Sequence, residues 1–117
     1  MRLTLALLAA AALSGCGGFQ IPEPAPGQVV FLTQSRALEV VLERSKELQP
    51  GMRKQDVLGL LGRPAFMDAQ GWDYVSHDIY GTPVFGPKCW KLRVTFGGDR
   101  FLASDLQPAP LSTQGQR

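Results

Sequence analysis

Apolar residues in the first half of the folded region recur at helical spacing. Over residues 35–48 they occupy one face and charged side chains occupy the other, which predicts an amphipathic helix. Thr33 or Ser35 could cap the first turn of this helix. Its apolar face consists of Leu38, Val41, Leu42 and Leu48.

A second, shorter helix is predicted from Lys54 to Leu61, where the apolar side chains again share one face. Asp56 lies in its first turn, where a negative charge favours the amide end of the helix dipole. Gly62 fits the left-handed position that ends a helix, and Pro64 prevents its continuation. The end of this helix is therefore marked in the sequence.

The second half of the chain alternates between apolar and polar residues, as strands do. Trp72 and Tyr74 share one face of a first strand, and residues 90–96 form the clearest half-buried strand. Residues 97–99 supply a hairpin turn, and a third strand follows over residues 100–106. The pattern predicts an α+β fold in which two helices are followed by a three-stranded antiparallel sheet, arranged as a two-layer sandwich.

The start of the chain has the pattern of an export signal. Arg2 precedes an uncharged apolar run over residues 3–13, and small residues lead to Cys16. This resembles a bacterial lipoprotein precursor, and the resemblance implies a diacylglycerol on the sulfur of Cys16, cleavage before it and acylation of the new amino group. Gly17 and Gly18, with no aspartate, imply sorting to the outer membrane of a Gram-negative cell. A plain secretion signal is the alternative, whereas a membrane span would need about 20 apolar residues.

These patterns divide the chain into four parts. We expect a signal peptide over residues 1–15, a lipidated cysteine with a proline-rich spacer over 16–33, a folded domain over 34–106 and a disordered tail over 107–117. Alternating prolines favour an extended spacer that lifts the domain off the membrane. The apolar stretch of residues 29–32 is an exception, which could dock as a short strand or bind a partner.

Composition narrows the class of function. Twelve basic and ten acidic residues give no basic excess of the kind that nucleic-acid binding needs. The sequence contains no paired-carboxylate motif, metal-ligand cluster or phosphate loop, and it has one histidine. We therefore predict no enzyme, no catalytic residue, no metal, no small-molecule substrate and no cofactor besides the covalent lipid on Cys16. Cys89 has no partner once Cys16 is lipidated, so it is either buried or available for an intermolecular disulfide.

Three segments in order carry a family resemblance. Residues 48–64 read LQPGMRKQDVLGLLGRP, residues 72–75 read WDYV and residues 92–99 read LRVTFGGD. Together with the lipoprotein start, this combination resembles the BamE (SmpA/OmlA) family. The motif residues, each of which also has a structural role, are Gly51, Met52, Val57, Leu61, Gly62, Pro64, Trp72 and Tyr74.

The resemblance implies a non-catalytic outer-membrane lipoprotein, anchored by its lipid at the periplasmic face. It is similar to an accessory subunit of the β-barrel assembly machinery that acts by protein–protein contact, with envelope or barrel-assembly proteins as its partners. Two departures from the family pattern leave open the alternative that this chain is a divergent paralogue. Arg53 stands where the family has a Thr or Ser cap, and the amphipathic stretch of residues 35–48 lengthens the segment before the motif.

Two other functions fit the same fold. The longer N-terminal segment fits an envelope-stress or envelope-integrity lipoprotein, as in the OsmE-like branch of the family. The fold also resembles that of periplasmic inhibitor or binding modules, which use a sheet face to occupy the cleft of an enzyme, and aromatic side chains of this chain could serve as anchors there. Tyr80, Phe85 and Trp90 are the candidate contact residues for such a role, and a place in the core is their alternative.

Overall fold

The computed structural model describes residues 19–109, which form one antiparallel sheet and two helices. Its five strands are hydrogen-bonded in the order β1-β2-β3-β4-β5, so each strand lies beside its neighbours in sequence. Cys16 and residues 110–117 lie outside the described residues. The elements are β1 (Val30–Phe31), α1 (Leu38–Ser45), α2 (Lys54–Leu61), β2 (Phe66–Met67), β3 (Gly71–Val75), β4 (Trp90–Gly97) and β5 (Arg100–Pro108).

The α+β class with two helices and an antiparallel sheet is confirmed, but the expected number of three strands is wrong. The two further strands, β1 and β2, have two residues each. Val30 pairs with Met67 and Phe31 with Phe66, which extends the sheet beyond β3. The short docked strand that we gave as one alternative for residues 29–32 is thus present at Val30–Phe31.

The first helix is shorter than expected, because it covers Leu38–Ser45 instead of residues 35–48. Ala37 occupies its N-cap position without a side-chain hydrogen bond, so the expected cap from Thr33 or Ser35 is wrong. The Ser35 hydroxyl instead accepts a hydrogen bond from the Arg63 amide at 2.9 Å, which ties the start of α1 to the end of α2.

The second helix has the predicted bounds, Lys54–Leu61. The Asp56 carboxylate accepts a hydrogen bond from the Arg53 amide at 3.3 Å. A guanidinium has no acceptor, so Arg53 cannot return this bond as a Ser or Thr would. At the other end, the Gly62 amide donates to the Leu58 carbonyl, and Gly62 has a φ of 84° that favours glycine.

The core contains side chains from the sheet and from both helices. Trp72 of β3 packs on Phe96 of β4 with ring centroids 4.6 Å apart, and Val41 of α1 and Val57 of α2 are fully buried. α1 contacts β3 and β4, and α2 contacts β5. At Gly71 a Cβ atom would lie only 2.2 Å from the Val94 carbonyl oxygen, so this close approach of β3 to β4 requires glycine.

Both ends of the described chain are more ordered than we expected. β5 continues through Pro108, beyond residue 106 where we placed its end. Ala109 is buried, and its amide donates to the Cys89 carbonyl at 2.9 Å. At the other end, Phe19 and Ile21 of the expected spacer pack against the core.

Candidate functional site

The residues of the family motif lie in the interior and at its turns. Val57, Leu61, Pro64, Trp72 and Tyr74 are fully or almost fully buried. The Tyr74 hydroxyl donates to the Gly62 carbonyl at 2.8 Å, and burial raises the pKa of this phenol, with the charge of Arg36 opposing the shift. Gly51 is exposed with a φ of 91°, and Met52 is half-buried against the core. Most of this motif is therefore inaccessible to a partner.

The three candidate contact residues lie in different surroundings. Tyr80 is 85% exposed at a loop tip, Phe85 is half-buried on the sheet, and Trp90 is 46% exposed at the start of β4. The Phe85 ring lies 6.2 Å from that of Phe66. Trp90 pairs with Pro108 in the register of β4 and β5, where the sheet ends. The three residues therefore differ in exposure and in the elements that hold them.

The loop tip of residues 78–82 presents Tyr80 on a well-defined turn. The Asp78 carboxylate accepts hydrogen bonds from the amides of Tyr80 and Thr82 at 2.9 and 3.0 Å. The Gly81 amide donates to the Asp78 carbonyl at 3.0 Å, and Gly81 has a φ of 82°. Because one side chain fixes two amides, the tip is organised before any partner arrives.

Ile79, beside Tyr80, was missed by the sequence reasoning and is the most exposed large apolar residue of the described part, at 90%. The sequence does contain a signal for this exposure, because an Asp–x–x–Gly spacing around an apolar pair predicts a turn that exposes both side chains. Exposed apolar side chains are normal when scattered singly. Two adjacent ones on an organised turn are a better candidate for a contact site.

A groove on the sheet face opposite the core forms a second candidate site, which we call the aromatic groove. It has a volume of about 240 Å³. Phe31, which is 73% exposed, meets Phe66 edge to face with ring centroids 5.0 Å apart, and Phe85 continues the row. The groove is lined by Val29, Phe31, Phe66, Asp68, Asp73, Val75, Phe85 and Lys91.

Four charged side chains form a network beside the aromatic groove. Arg93 donates two hydrogen bonds to Asp68, at 2.9 and 3.0 Å, and one to Asp73 at 3.2 Å. Lys91 lies 3.8 Å from Asp73. Two carboxylates and two cations balance one another, so this network fixes the sheet face without giving it a net charge.

The pKa values of this network follow from its geometry. Burial alone would raise the pKa of Asp68, but the Arg93 hydrogen bonds, those from the Gln70 and Gly71 amides and the Arg93 charge lower it below its ordinary value. Burial alone would lower the pKa of Arg93, and its bonds and charge interactions with Asp68 and Asp73 raise it instead. The charged forms of both groups are thus the favoured ones.

Other chemistry is sparse in the described part of the chain. Cys89 is a free, half-buried thiol. The two ring nitrogens of His77 lie 3.1 and 3.3 Å from the carbonyls of Asp78 and Arg36. Across residues 19–109 we find no cluster of three side chains suited to a metal ion, and no helix there has the length and apolar character to cross a membrane.

Comparison with known proteins adds two findings. Residues 40–105 match the family model described as the outer membrane protein assembly factor BamE domain. Over 110 residues the chain is 34% identical to the outer membrane protein assembly factor BamE of Halomonas elongata, an alignment that covers 90% of this chain and 62% of that protein. The chain thus spans somewhat under two thirds of the length of this relative.

Proposed function

Because this chain belongs to the family of outer membrane protein assembly factor BamE domains, we propose that it is a non-catalytic accessory lipoprotein of the outer membrane that assists outer membrane protein assembly. It acts by protein–protein contact in the periplasm, with barrel-assembly or other envelope proteins as partners. The match over residues 40–105 is the observation that carries this proposal.

The anchor in this proposal is Cys16. Its thiol takes a diacylglycerol, and its new amino group takes a further acyl chain after cleavage of residues 1–15. Support comes from the apolar run and the small residues that precede Cys16. A single acyl chain holds a protein weakly, whereas two or three form a stable tether. Nearly balanced protein charge makes the acyl chains the main source of membrane affinity.

The contact surface in this proposal is the loop tip of residues 78–82 together with the aromatic groove. We infer a two-layer arrangement in which α1 and α2 cover one sheet face and leave the other for partners, which their contacts with β3, β4 and β5 support. Large side chains that are exposed before binding lose the most apolar area on contact. Ile79, Tyr80 and Phe31 are therefore the expected anchors.

The experiment is site-specific photocrosslinking in cells, followed by purification from detergent-solubilised envelope. A photoreactive residue at Tyr80 or Phe31 should give crosslinks to envelope proteins, and barrel-assembly subunits should be among them. The matched control is Leu102, which is exposed on β5 at a distance from both sites in the sheet order. Crosslinks from neither Tyr80 nor Phe31, or equal crosslinks from Leu102, would contradict the assigned surface.

A second function, a periplasmic binding or inhibitor module, is favoured by the row of Phe31, Phe66 and Phe85 on the open sheet face. Recovery of a periplasmic enzyme instead of assembly subunits in the same experiment would support it. The OsmE-like function in envelope integrity predicts a different phenotype. A deletion strain would keep normal levels of outer membrane barrels but lose osmotic or antibiotic tolerance.

A further inference from the structure

Residues 19–28, which we call the strap, lie on the domain instead of extending away from it. Phe19 and Ile21 are half-buried against the core, while Gln20 between them is exposed. Pro22 and Pro24 are half-buried as well, so contact with the protein continues as far as residue 24. One residue, Val29, joins the strap to β1, whose residue Val30 pairs with Met67 of β2.

The middle of the strap is held by an ion pair. The Lys54 ammonium lies 3.6 Å from the Glu23 carboxylate and 5.4 Å from the centre of the Phe96 ring. The Lys54 side chain is only 11% exposed, and a largely buried ammonium is costly without a partner. Glu23 is 76% exposed, so its own contribution is modest, but it supplies the charge that Lys54 needs.

The last part of the strap folds into a turn. The Gln28 amide donates to the Ala25 carbonyl at 2.9 Å, and the Gln28 side-chain oxygen accepts from the Ala25 amide at 2.8 Å. Gly27 has a φ of 83°, which this turn requires. The strap is therefore attached to the domain at two successive points, by apolar contacts at its start and by the ion pair in its middle, and its last part is shaped by an internal turn just before β1.

From these attachments we propose that the strap sets the distance between the domain and the membrane and keeps it short. The inference rests on the proposed lipidation of Cys16. Phe19 is the third residue after Cys16, and three extended residues span at most about 10 Å. A free spacer from Cys16 to Val30 would span up to roughly 50 Å. When the strap is docked, the domain stays close to the membrane surface. Only partners that extend into this thin layer beside the membrane can then reach the domain.

The test measures the water gap between lipid headgroups and protein by neutron reflectometry, on the lipidated, signal-cleaved full chain in a supported bilayer. We expect a gap of at most about 10 Å for the native protein and for Gln20→Ser, which changes the exposed residue of the strap. The double variant Phe19→Ser/Ile21→Ser should widen the gap. An unchanged gap in the double variant, or a native gap well above 10 Å, would overturn the proposal.

A second variant avoids any loss of folding. Ten Gly/Ser residues inserted between Gly18 and Phe19 leave the strap and its contacts intact. The mean span of a flexible chain is roughly 5–6 Å times the square root of its length, and the insertion takes the link from Cys16 to Phe19 from three to thirteen residues, so the gap should about double if the strap is docked. If residues 17–29 were already a free chain, the same insertion would lengthen that chain from 13 to 23 residues and widen the gap by only about a third.

Failure of the anchor and failure of the strap are separable. Metabolic labelling with a fatty acid tests whether Cys16 is lipidated. Absence of label would contradict both the lipid anchor and the short distance that depends on it. Hydroxyl-radical footprinting of the full chain tests docking, with exposed residues of the same type as internal standards. Phe19 and Ile21 should react several-fold more slowly than Phe31 and Ile79. Equal rates in a labelled, anchored protein would overturn the strap and leave the proposed function standing.

Discussion

Replacing Arg93 with methionine should destabilise the domain and change its response to acid. Arg93 donates three hydrogen bonds of 2.9 to 3.2 Å to Asp68 and Asp73. Methionine keeps much of the side-chain volume but removes the charge and all donors. The variant therefore leaves two half-buried carboxylates with one remaining cation, Lys91, at 3.8 Å from Asp73.

The magnitude follows from this geometry. Exposed ion pairs contribute about 0.2–1 kcal/mol, whereas hydrogen bonds to charged groups that are shielded from water contribute about 1.5–3 kcal/mol. The contribution of this network to stability lies between these limits. In the variant, Lys91 still compensates part of the charge of Asp73. We expect a loss of about 2 kcal/mol at pH 7, which lowers the Tm of a domain of this size by about 8–16 °C.

The pH dependence distinguishes this cause from lost packing. The pKa of Asp68 is below its ordinary value of 3.8 in the folded protein, so folding favours the ionised carboxyl. This stabilisation is fully present above the unfolded pKa and is lost as the pH falls through the folded pKa. The difference between native protein and Arg93→Met should therefore be largest above about pH 5 and shrink towards pH 2.

Urea denaturation followed by tryptophan fluorescence, at pH values from 7 to 2.5, measures this difference. Arg100→Met is the matched control, because Arg100 is exposed and, among residues 19–109, its guanidinium donates to the Gly51 carbonyl alone, at 3.1 Å. The control should change the free energy of unfolding by less than about 0.5 kcal/mol. A loss for Arg93→Met that is equally large at pH 7 and pH 2.5 would refute the electrostatic explanation and indicate packing.

Three further substitutions test the core, the turn after α2 and the loop tip. Tyr74→Phe removes the 2.8 Å hydrogen bond to the Gly62 carbonyl and should cost about 1–2 kcal/mol in urea denaturation, while Tyr80→Phe should be neutral. Gly62→Ala, at a φ of 84° with Arg36 Nη1 only 2.6 Å from the new Cβ, should lower the Tm more than Gly98→Ala, which enters open space. Asp78→Ala should speed hydrogen exchange at the Tyr80 amide several-fold without a comparable change at β4.

The parts of the fold that the sequence predicts well are those with a local signal. α2 has the predicted bounds because Gly62 and Pro64 mark its end within the sequence itself. β4 follows the predicted alternation, with Leu92, Val94 and Phe96 buried. Both features depend on contacts and backbone preferences that a short window contains.

The missed features depend on partners far away in sequence. Two residues cannot display a period of two, and Phe31 and Phe66 form strands only because each pairs with the other across the chain. Ser35 likewise has a residue type suited to a cap, but its hydroxyl faces the Arg63 amide instead of the α1 amides. In each case a contact with a residue distant in sequence decides the role of the group, and that role differs from the one that local preference predicts.

The candidate contact residues show the same division. Residue type was enough to select Tyr80, Phe85 and Trp90, but not to give their exposure. Trp90 has the same parity as Leu92, which predicts burial, yet it lies where β4 pairs with the end of β5 and remains 46% exposed. Alternation gives the face of a strand, whereas the extent of the covering layer decides whether that face is buried.

Most residues of the family motif are buried, so a partner would be selected mainly by residues outside the motif. The side chains of Trp72, Tyr74 and Leu61 are buried, so they stabilise the domain but cannot contact a partner. The surfaces that a partner could contact are the loop tip, the aromatic groove and the exposed side of the strap. If the strap holds the domain within about 10 Å of the lipid anchor, membrane proximity also selects among partners that fit these surfaces. The affinity needed from Ile79 and Tyr80 is then lower than for a freely diffusing protein, because both partners already share one membrane layer.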